Sequence, residues 1–228
     1  MNEEERLAQA VMRTQVLRKP KQSLATFGVT NISYYLLTRP AYAEGDVAET
    51  VVRMGHVIAN RPRIVTPYYL SRLDGFSADA RSYFQKLIET HGADAPGIYY
   101  TYRNEPQGTD IISNGIDDVL AKINAEIDAR GDPLAAVIQG EDTLWDVSLM
   151  KFIFEMTSAS LGGNLADFHS RGLLDIKGGI PTEARLNIED MFRRLKEGSI
   201  EPHELQQELE RWGLFEAYQD RFLAAFRR

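Results

Sequence analysis

Several β-strand patterns follow one another early in the chain with no helical pattern between them, and this succession most constrains the fold. Side chains alternate in the manner of strands, or run between prolines, at residues 30–39, 49–54, 56–60 and 63–66. Gly55 lies between the second and third patterns, which predicts a hairpin turn there. Because strands of a doubly wound parallel sheet alternate with helices, the succession favours an antiparallel sheet.

Helical periodicity dominates the rest of the chain. We expect an N-terminal helix over residues 3–18, a long loop over 41–48 and another over 104–110, and an apolar helix over 143–158 that breaks at Gly162-Gly163. These patterns predict an α+β fold. A mainly antiparallel sheet with packed helices occupies about residues 26–140, and an all-helical C-terminal region follows.

The glycines and proline of residues 178–181 resemble a joint between two parts of the chain. We therefore predict an α+β core domain over residues 1–177, including the N-terminal helix, and a helical extension over residues 178–228. The chain has 228 residues, which suits one large domain with such an extension.

Composition excludes several classes of function. The chain has no cysteine, so disulfides, thiolate nucleophiles and cysteine metal sites are ruled out. Its four histidines lack the spacing of a helical metal pair, and phosphate-loop, dinucleotide and Gly-x-Ser-x-Gly patterns are absent. We expect no metal and no cofactor. With an acidic N-terminus and no apolar run of membrane-spanning length, we expect a cytoplasmic protein that does not enter membranes.

Residues 193–204 carry one family likeness. Gly198, Ile200 and Glu204 have the spacing of the second half of an EF-hand loop, and this stretch therefore resembles one. Arg193 and Leu195 stand where that loop has its first calcium ligands, and neither side chain binds calcium. A helix that ends at Gly198 and a second that begins near Pro202 account for the pattern without a metal.

Charge is distributed unevenly along the chain. The net charge is −7 overall, yet residues 13–72 hold nine basic and three acidic side chains. Such a stretch is typical of proteins that bind an anionic partner. The partner would be the acidic surface of a protein or another anionic macromolecule. The alternative is that these arginines pair with carboxylates of the acidic C-terminal half.

Tyrosine is concentrated in the same part of the chain, since nine of the ten tyrosines lie between residues 34 and 102. Outward-facing tyrosines beside arginines can stack on a ligand or grip its anionic groups. The candidate ligand- or partner-binding residues are Arg39, Arg61, Arg63, Tyr68, Tyr102 and Arg103. The alternative is that tyrosine appears here only because it suits half-buried strands.

Asp146 is the candidate catalytic residue. On a helical projection of residues 143–158 it lies beside the apolar arc and opposite the polar one. A carboxylate there needs a partner, or its pKa rises. It would act as an acid or base on an anionic substrate, with Arg61, Arg63 and Arg103 holding the anion. The alternative is a first-turn aspartate that binds backbone amides at the start of a helix or pairs with one of the sheet arginines.

An aromatic stripe near the C-terminus supplies a third candidate surface, formed by Trp212, Phe215, Phe222 and Phe226. If residues 178–228 do not pack on other parts of the chain, the stripe is a face for a partner helix or the contact of a homo-oligomer. If they do, it is core.

With no assembled catalytic pattern, the leading prediction is a cytosolic, non-catalytic binding or adaptor protein for a macromolecule. The enzyme or small-molecule binder built on Asp146 is the alternative.

Overall fold

The computed structural model describes residues 2–42, 48–73 and 77–225 of the chain. In chain order its elements are α1 (Glu3–Arg13), β1 (Gln15–Arg18), β2 (Thr30–Thr38), β3 (Thr50–Ala59), β4 (Arg63–Val65), α2 (Pro67–Leu70), α3 (Ala78–His91), β5 (Gly97–Tyr99), β6 (Tyr102–Ile112), α4 (Ile116–Arg130) and β7 (Ala136–Gln139). A short 3-10 turn (Asp142–Leu144) then leads into α5 (Trp145–Ser170), β8 (Ile176–Lys177), β9 (Ile180–Pro181), α6 (Thr182–Lys196), α7 (Pro202–Arg211) and α8 (Phe215–Ala224). The predicted α+β class is confirmed, with helices throughout the C-terminal region.

The chain divides into two compact units. Unit 1 comprises residues 1–62 and 100–164, and unit 2 comprises residues 63–99 and 165–228. The predicted boundary between residues 177 and 178 falls inside unit 2. Whether residues 178–228 form a separate domain stays a prediction.

Unit 1 is built on a five-stranded sheet in the order β1-β7-β2-β3-β6. Neighbouring strands are antiparallel except for β2 and β7, which run parallel. The alternation of β2 divides its side chains between two cores. Ile32, Tyr34 and Leu36 belong to the cluster that includes α5 side chains, whereas Leu37 packs in the cluster formed with α4.

Gly55 does not form the predicted hairpin turn. Strand β3 runs straight through it from Thr50 to Ala59, and its antiparallel neighbours are β2 and β6. A Cβ atom at Gly55 would lie 2.6 Å from the Tyr34 hydroxyl oxygen and 2.7 Å from the Glu105 carbonyl oxygen. Glycine is needed here because two other groups approach the strand closely, which local sequence patterns cannot reveal.

Gly55→Ala is therefore expected to destabilise the protein by about 1–2 kcal/mol, since the added methyl group overpacks a site closed partly by backbone. Chemical denaturation in urea measures the loss. Gly108→Ala is the matched control, because a Cβ atom at that glycine of β6 meets nothing within 4 Å. Equal stability of the two variants would contradict the close-packing explanation.

Two segments that were predicted as helix and loop are strands. The expected helix over residues 3–18 ends at Arg13, and residues 15–18 pair with β7 as strand β1. The expected loop over residues 104–110 is part of β6, which pairs with β3 along its length. Both errors have the same cause, since these exposed segments lack periodicity and become strands only through distant partners. The expected loop over residues 41–48 lies largely outside the described residues.

The predicted helix break at Gly162-Gly163 is also wrong, because α5 continues to Ser170. Glycine within a helix costs only about 1 kcal/mol relative to alanine. Contacts on either side of the glycine pair hold the helix. Ser160 accepts a hydrogen bond from the Leu24 N–H (3.0 Å), and the Asn164 side chain donates to the Leu24 carbonyl oxygen (2.9 Å).

Unit 2 contains a two-stranded sheet of β4 and β5, and α6, α7 and α8 contribute side chains to the larger of its two apolar clusters. Ile188 and Phe192 of α6 and Leu205 and Leu209 of α7 are buried in this cluster, as their helical spacing predicts. The turn between α6 and α7 has Gly198 in the left-handed region (φ 71°). Within the described part of the chain, no helix is long and apolar enough to span a bilayer.

Candidate functional site

A polar cleft of about 690 Å³ lies in unit 1, beyond the carboxyl ends of the two parallel strands. Because β2 and β7 are parallel, the segments that follow Thr38 and Gln139 emerge at the same edge of the sheet. Such positions at the ends of parallel strands are common ligand sites. The cleft is lined by Arg6 and Arg13 of α1, Gln15, Arg39 and Ala41 after β2, Ile116, and Gln139, Gly140, Glu141, Asp142 and Thr143 after β7.

Gly140 lets the end of β7 approach the first turns of α5. A Cβ atom at this position would overlap the Ser148 side chain. Ser148 is buried and exchanges a hydrogen bond of 2.7 Å with the Thr14 hydroxyl group. Thr14 directly follows α1, so this contact fixes that helix, with its two arginines, beside the cleft.

Asp142 organises the floor of the cleft. Its carboxylate accepts hydrogen bonds from the Thr38 hydroxyl group (2.8 Å) and the Ala41 N–H (3.0 Å), and it pairs with Arg53 at 2.8 Å. Burial, the largest influence, raises the pKa of Asp142, but the hydrogen bonds from Thr38, Arg53 and Ala41 together outweigh it and leave the pKa lowered. Asp142 is thus an ionised group with a structural role, and its carboxylate oxygens are already bound to Thr38, Ala41 and Arg53.

The three arginines of the cleft differ in their pairing. Arg13 binds the Glu141 carboxylate at 2.6 Å. The side chains of Arg6 and Arg39 make no ion pair or hydrogen bond with any described residue, although both line the cleft. Arg39 is exposed. The cleft therefore offers two uncommitted guanidinium groups, which suit phosphate or carboxylate oxygens.

Ion pairs with the acidic half of the chain neutralise part of the basic stretch of residues 13–72. Four of its arginines pair with carboxylates beyond residue 114, namely Arg13 with Glu141, Arg18 with Asp128, Arg53 with Asp142, and Arg63 with Glu208. Internal pairing, the alternative to an external anionic partner, thus accounts for these side chains.

The predicted tyrosine and arginine residues of unit 1 make different contacts. Tyr102 is half-buried, stacks on Tyr100 with ring centroids 6.5 Å apart, and exchanges a hydrogen bond with Thr157 of α5. Arg103 pairs with Glu105 at 2.8 Å. The Arg61 guanidinium lies 5.9 Å from the Phe27 ring centroid. Only Arg39 of the predicted binding residues lines the cleft.

The remaining two predicted binding residues belong to unit 2. Arg63 joins a largely buried group with Glu208 and Tyr69. Tyr68 lies beneath Arg72, whose guanidinium is 4.4 Å from the ring centroid, and both line a pocket of about 410 Å³. Arg63 therefore pairs with a carboxylate inside this unit, whereas Tyr68 lines a pocket at its surface.

Asp146 is exposed and lies outside the cleft. Its carboxylate accepts a hydrogen bond of 2.9 Å from the N–H of Val147, which is the helix-start alternative stated above. Helical projection misplaced it because the residues opposite, such as Ser148, are buried against α1. A catalytic role for Asp146 stays a prediction.

The C-terminal aromatic stripe packs within unit 2. Trp212 and Phe222 are buried, and Phe215 contacts Phe222 edge-on with ring centroids 5.6 Å apart. Packing within the unit accounts for Trp212 and Phe222, as the core alternative requires. Phe226 lies outside the described residues.

Sequence reasoning missed Arg6 and Arg13 as site residues. They are seven positions apart on α1, which places them on one face of that helix. The sequence could therefore show that Arg6 and Arg13 share a face. The contact of Thr14 with Ser148, which places that face beside the ends of β2 and β7, is known only from the structure. Gln139 and Gly140 could be found only from the parallel pairing of β2 with β7.

The chain matches no model of a known protein family, no curated protein and no solved structure. Among the described residues, no group of three or more His, Asp or Glu side chains is arranged to hold a metal ion. We therefore infer a function from the geometry of the cleft.

Proposed function

We propose that this protein is a non-catalytic binding protein that holds a phosphate- or carboxylate-bearing ligand in the cleft at the ends of β2 and β7. The single observation that carries the proposal is the pair of arginines, Arg6 and Arg39, that line the cleft without a partner among the described residues. A guanidinium group presents several N–H donors in a fixed plane, which matches the oxygen atoms of such anions.

The dimensions and surroundings of the cleft support this proposal. Its volume of about 690 Å³ lies within the range usual for small-ligand sites. Its carboxylates compete little for the arginines, since Asp142 is bound to Arg53, Thr38 and Ala41, and Glu141 is bound to Arg13. An incoming anion would therefore meet Arg6 and Arg39 without displacing an internal partner.

Binding without catalysis is favoured because the acidic groups of the cleft are committed to structure. Asp142 is held ionised by its donors, and a group in this state is a poor proton carrier near neutral pH. The alternative of an enzyme using Asp146 requires that residue near the anion, and the cleft does not include it.

Isothermal titration calorimetry with inorganic pyrophosphate and with citrate, at constant ionic strength, tests the proposal. We expect measurable binding of at least one probe by the wild-type chain. Arg39→Glu should weaken it about tenfold or more, since a repulsive charge replaces an attractive one. Arg194→Glu is the matched control, because Arg194 is exposed on α6 and lies outside the cleft. No binding of either probe, or equal affinity in Arg39→Glu, would refute the proposal.

The broader prediction of a cytoplasmic adaptor for a macromolecule remains a second candidate. The observation favouring it is a pair of exposed apolar side chains one turn apart on α5, Met150 (63% exposed) and Phe154 (71% exposed). A protein that co-purifies with the wild-type chain and is lost in Phe154→Ser would support this candidate. The control variant Leu186→Ser, at an exposed leucine outside this pair, should still co-purify with that protein. Equal recovery with all three chains would count against it.

A further inference from the structure

Strand β6 forms an open edge of the sheet in unit 1. It pairs with β3 on one side, and no strand of the described chain pairs with its other side. Eight of its eleven residues are exposed, so nothing in the described chain covers it. A long edge strand presents a row of unpaired N–H and C=O groups, which is the means by which a further strand is added to a sheet.

A bulge at the centre of β6 changes which of its residues share a face. Gly55 is opposite Pro106 and Met54 is opposite Gly108, so Gln107 has no partner of its own in β3. In a regular strand, two residues seven positions apart point to opposite faces of the sheet. The extra residue at the bulge reverses this, so two residues seven apart on either side of Gln107 point to the same face.

Arg103 and Asp110 are such a pair. Arg103 is opposite Ile58 and Asp110 is opposite Val52, and these two residues of β3 are six apart and so share a face. Cross-strand partners also share a face, which places the arginine and the aspartate on the same side of the sheet. The Asp110 side chain makes no ion pair or hydrogen bond with any described residue.

We propose that β6 pairs in antiparallel fashion with β6 of a second copy of this chain, about a two-fold axis between Pro106 and Gln107. In this register Arg103 faces the partner's Asp110, and the symmetry repeats the ion pair at the other end of the ladder. A two-fold axis perpendicular to the sheet keeps each side chain on its own face, so two residues that lie opposite each other across the axis must share a face. Arg103 and Asp110 share a face only because of the bulge, which therefore makes this register possible.

The other positions of this register are also compatible. Asn104 faces the partner's Thr109, and Tyr102 faces the partner's Ile111, which is 57% exposed in the isolated chain. Glu105 faces the partner's Gly108, which has no side chain, so Arg103 can keep its pairing with Glu105 while it reaches the partner's Asp110. An interface of one strand per copy is small, so we expect a dimer that dissociates on dilution.

Charge reversal on the full chain tests the pairing, with mass measured by sedimentation velocity from micromolar to millimolar concentration. The wild-type chain should shift from monomer to dimer. Arg103→Asp and Asp110→Arg should each stay monomeric, and the variant carrying both should dimerise again, because the swap restores opposite charges. Asp118→Arg makes the same charge change at an exposed site on α4 and should behave as wild type. Circular dichroism confirms that each variant is folded.

Disulfide formation tests the register itself, since the natural chain has no cysteine. Asn104→Cys and Thr109→Cys, mixed and oxidised, should form a covalent dimer between the two variants. Either variant alone should form far less. Asn104 and Thr109 lie opposite Val57 and Arg53, which are four positions apart on β3, so residue 104 of one copy lies about 14 Å along the ladder from residue 104 of the other.

Three results would overturn the proposal: a wild-type monomer at every concentration, a dimer that both single charge reversals leave intact, or a mixed disulfide no more abundant than the self-paired ones. Charged residues, a proline and a bulge are also the devices by which monomeric proteins prevent edge pairing. A monomer at every concentration would establish that role for β6 instead. Neither outcome bears on the ligand cleft, which other residues form.

Discussion

Glu208→Gln should destabilise the protein by about 3–5 kcal/mol, the largest loss we expect from a single substitution, because it leaves a largely buried cation without its counter-charge. The Glu208 carboxylate lies in the core of unit 2 and is 3% exposed. It pairs with Arg63 and accepts hydrogen bonds from the Tyr69 hydroxyl group (3.0 Å) and the Trp212 indole N–H (2.9 Å).

The charges around Arg63 explain the size of the effect. Burial alone would lower the pKa of Arg63, and the carboxylates of Glu208 and Glu183, with Tyr69, raise it above its usual range. An amide at position 208 keeps the shape and some of the hydrogen bonds, but it removes most of this attraction. Urea denaturation measures the loss at neutral pH.

Two further variants separate this explanation from general damage to α7. Glu210→Gln makes the same chemical change at an exposed site of the same helix and should cost well under 1 kcal/mol. Combining Glu208→Leu with Arg63→Met removes both charges and should recover much of the stability. If Glu208→Gln were as stable as Glu210→Gln, the buried pair would not support unit 2 as described.

Asp142→Asn should cost about 2–3 kcal/mol at neutral pH, because the carboxylate accepts bonds from Thr38, Ala41 and Arg53 and charged acceptors contribute most. The pKa of Asp142 is lowered in the folded chain. Its contribution is therefore fully present above the pKa of the unfolded chain, about 3.9, and is lost as pH falls through the lower folded value.

The difference in stability between wild type and Asp142→Asn should consequently shrink as the pH falls below about 4. Denaturation by urea at a series of pH values checks this. Asp118→Asn, at an exposed aspartate of α4, should show no comparable change. A constant difference down to the most acidic pH at which the chain folds would show that the charge of Asp142 is not what stabilises the cleft.

Patterns of local sequence predicted the elements whose stability is local. The glycine after α4, Gly131, takes the left-handed conformation (φ 66°) as expected at a helix end, and the buried stripe of α6 follows its spacing. The buried strand β7 was likewise evident from its apolar run. In each case the residues that determine the structure lie within about one turn or one strand of each other.

The candidate site was predicted only in part, since Arg39 was identified whereas Arg6, Arg13 and Asp142 were not assigned to it. The groups that bind the Asp142 carboxylate, Thr38, Ala41 and Arg53, come from a distant part of the chain. The functional position of Asp142 depends on the parallel pairing of β2 with β7, which no local pattern encodes.

The sequence alone determined the α+β class, the helical C-terminal region and the uneven charge, because periodicity and composition can be read along the chain. Only the tertiary structure decided which arginines are neutralised and which remain available. Arg63 and Glu208 are separated by 145 positions, yet they share one core, whereas Arg6 and Arg39 have no such partner among the described residues. Pairing between charges depends on distance in space, and distance in space is set by the packing of all the elements together.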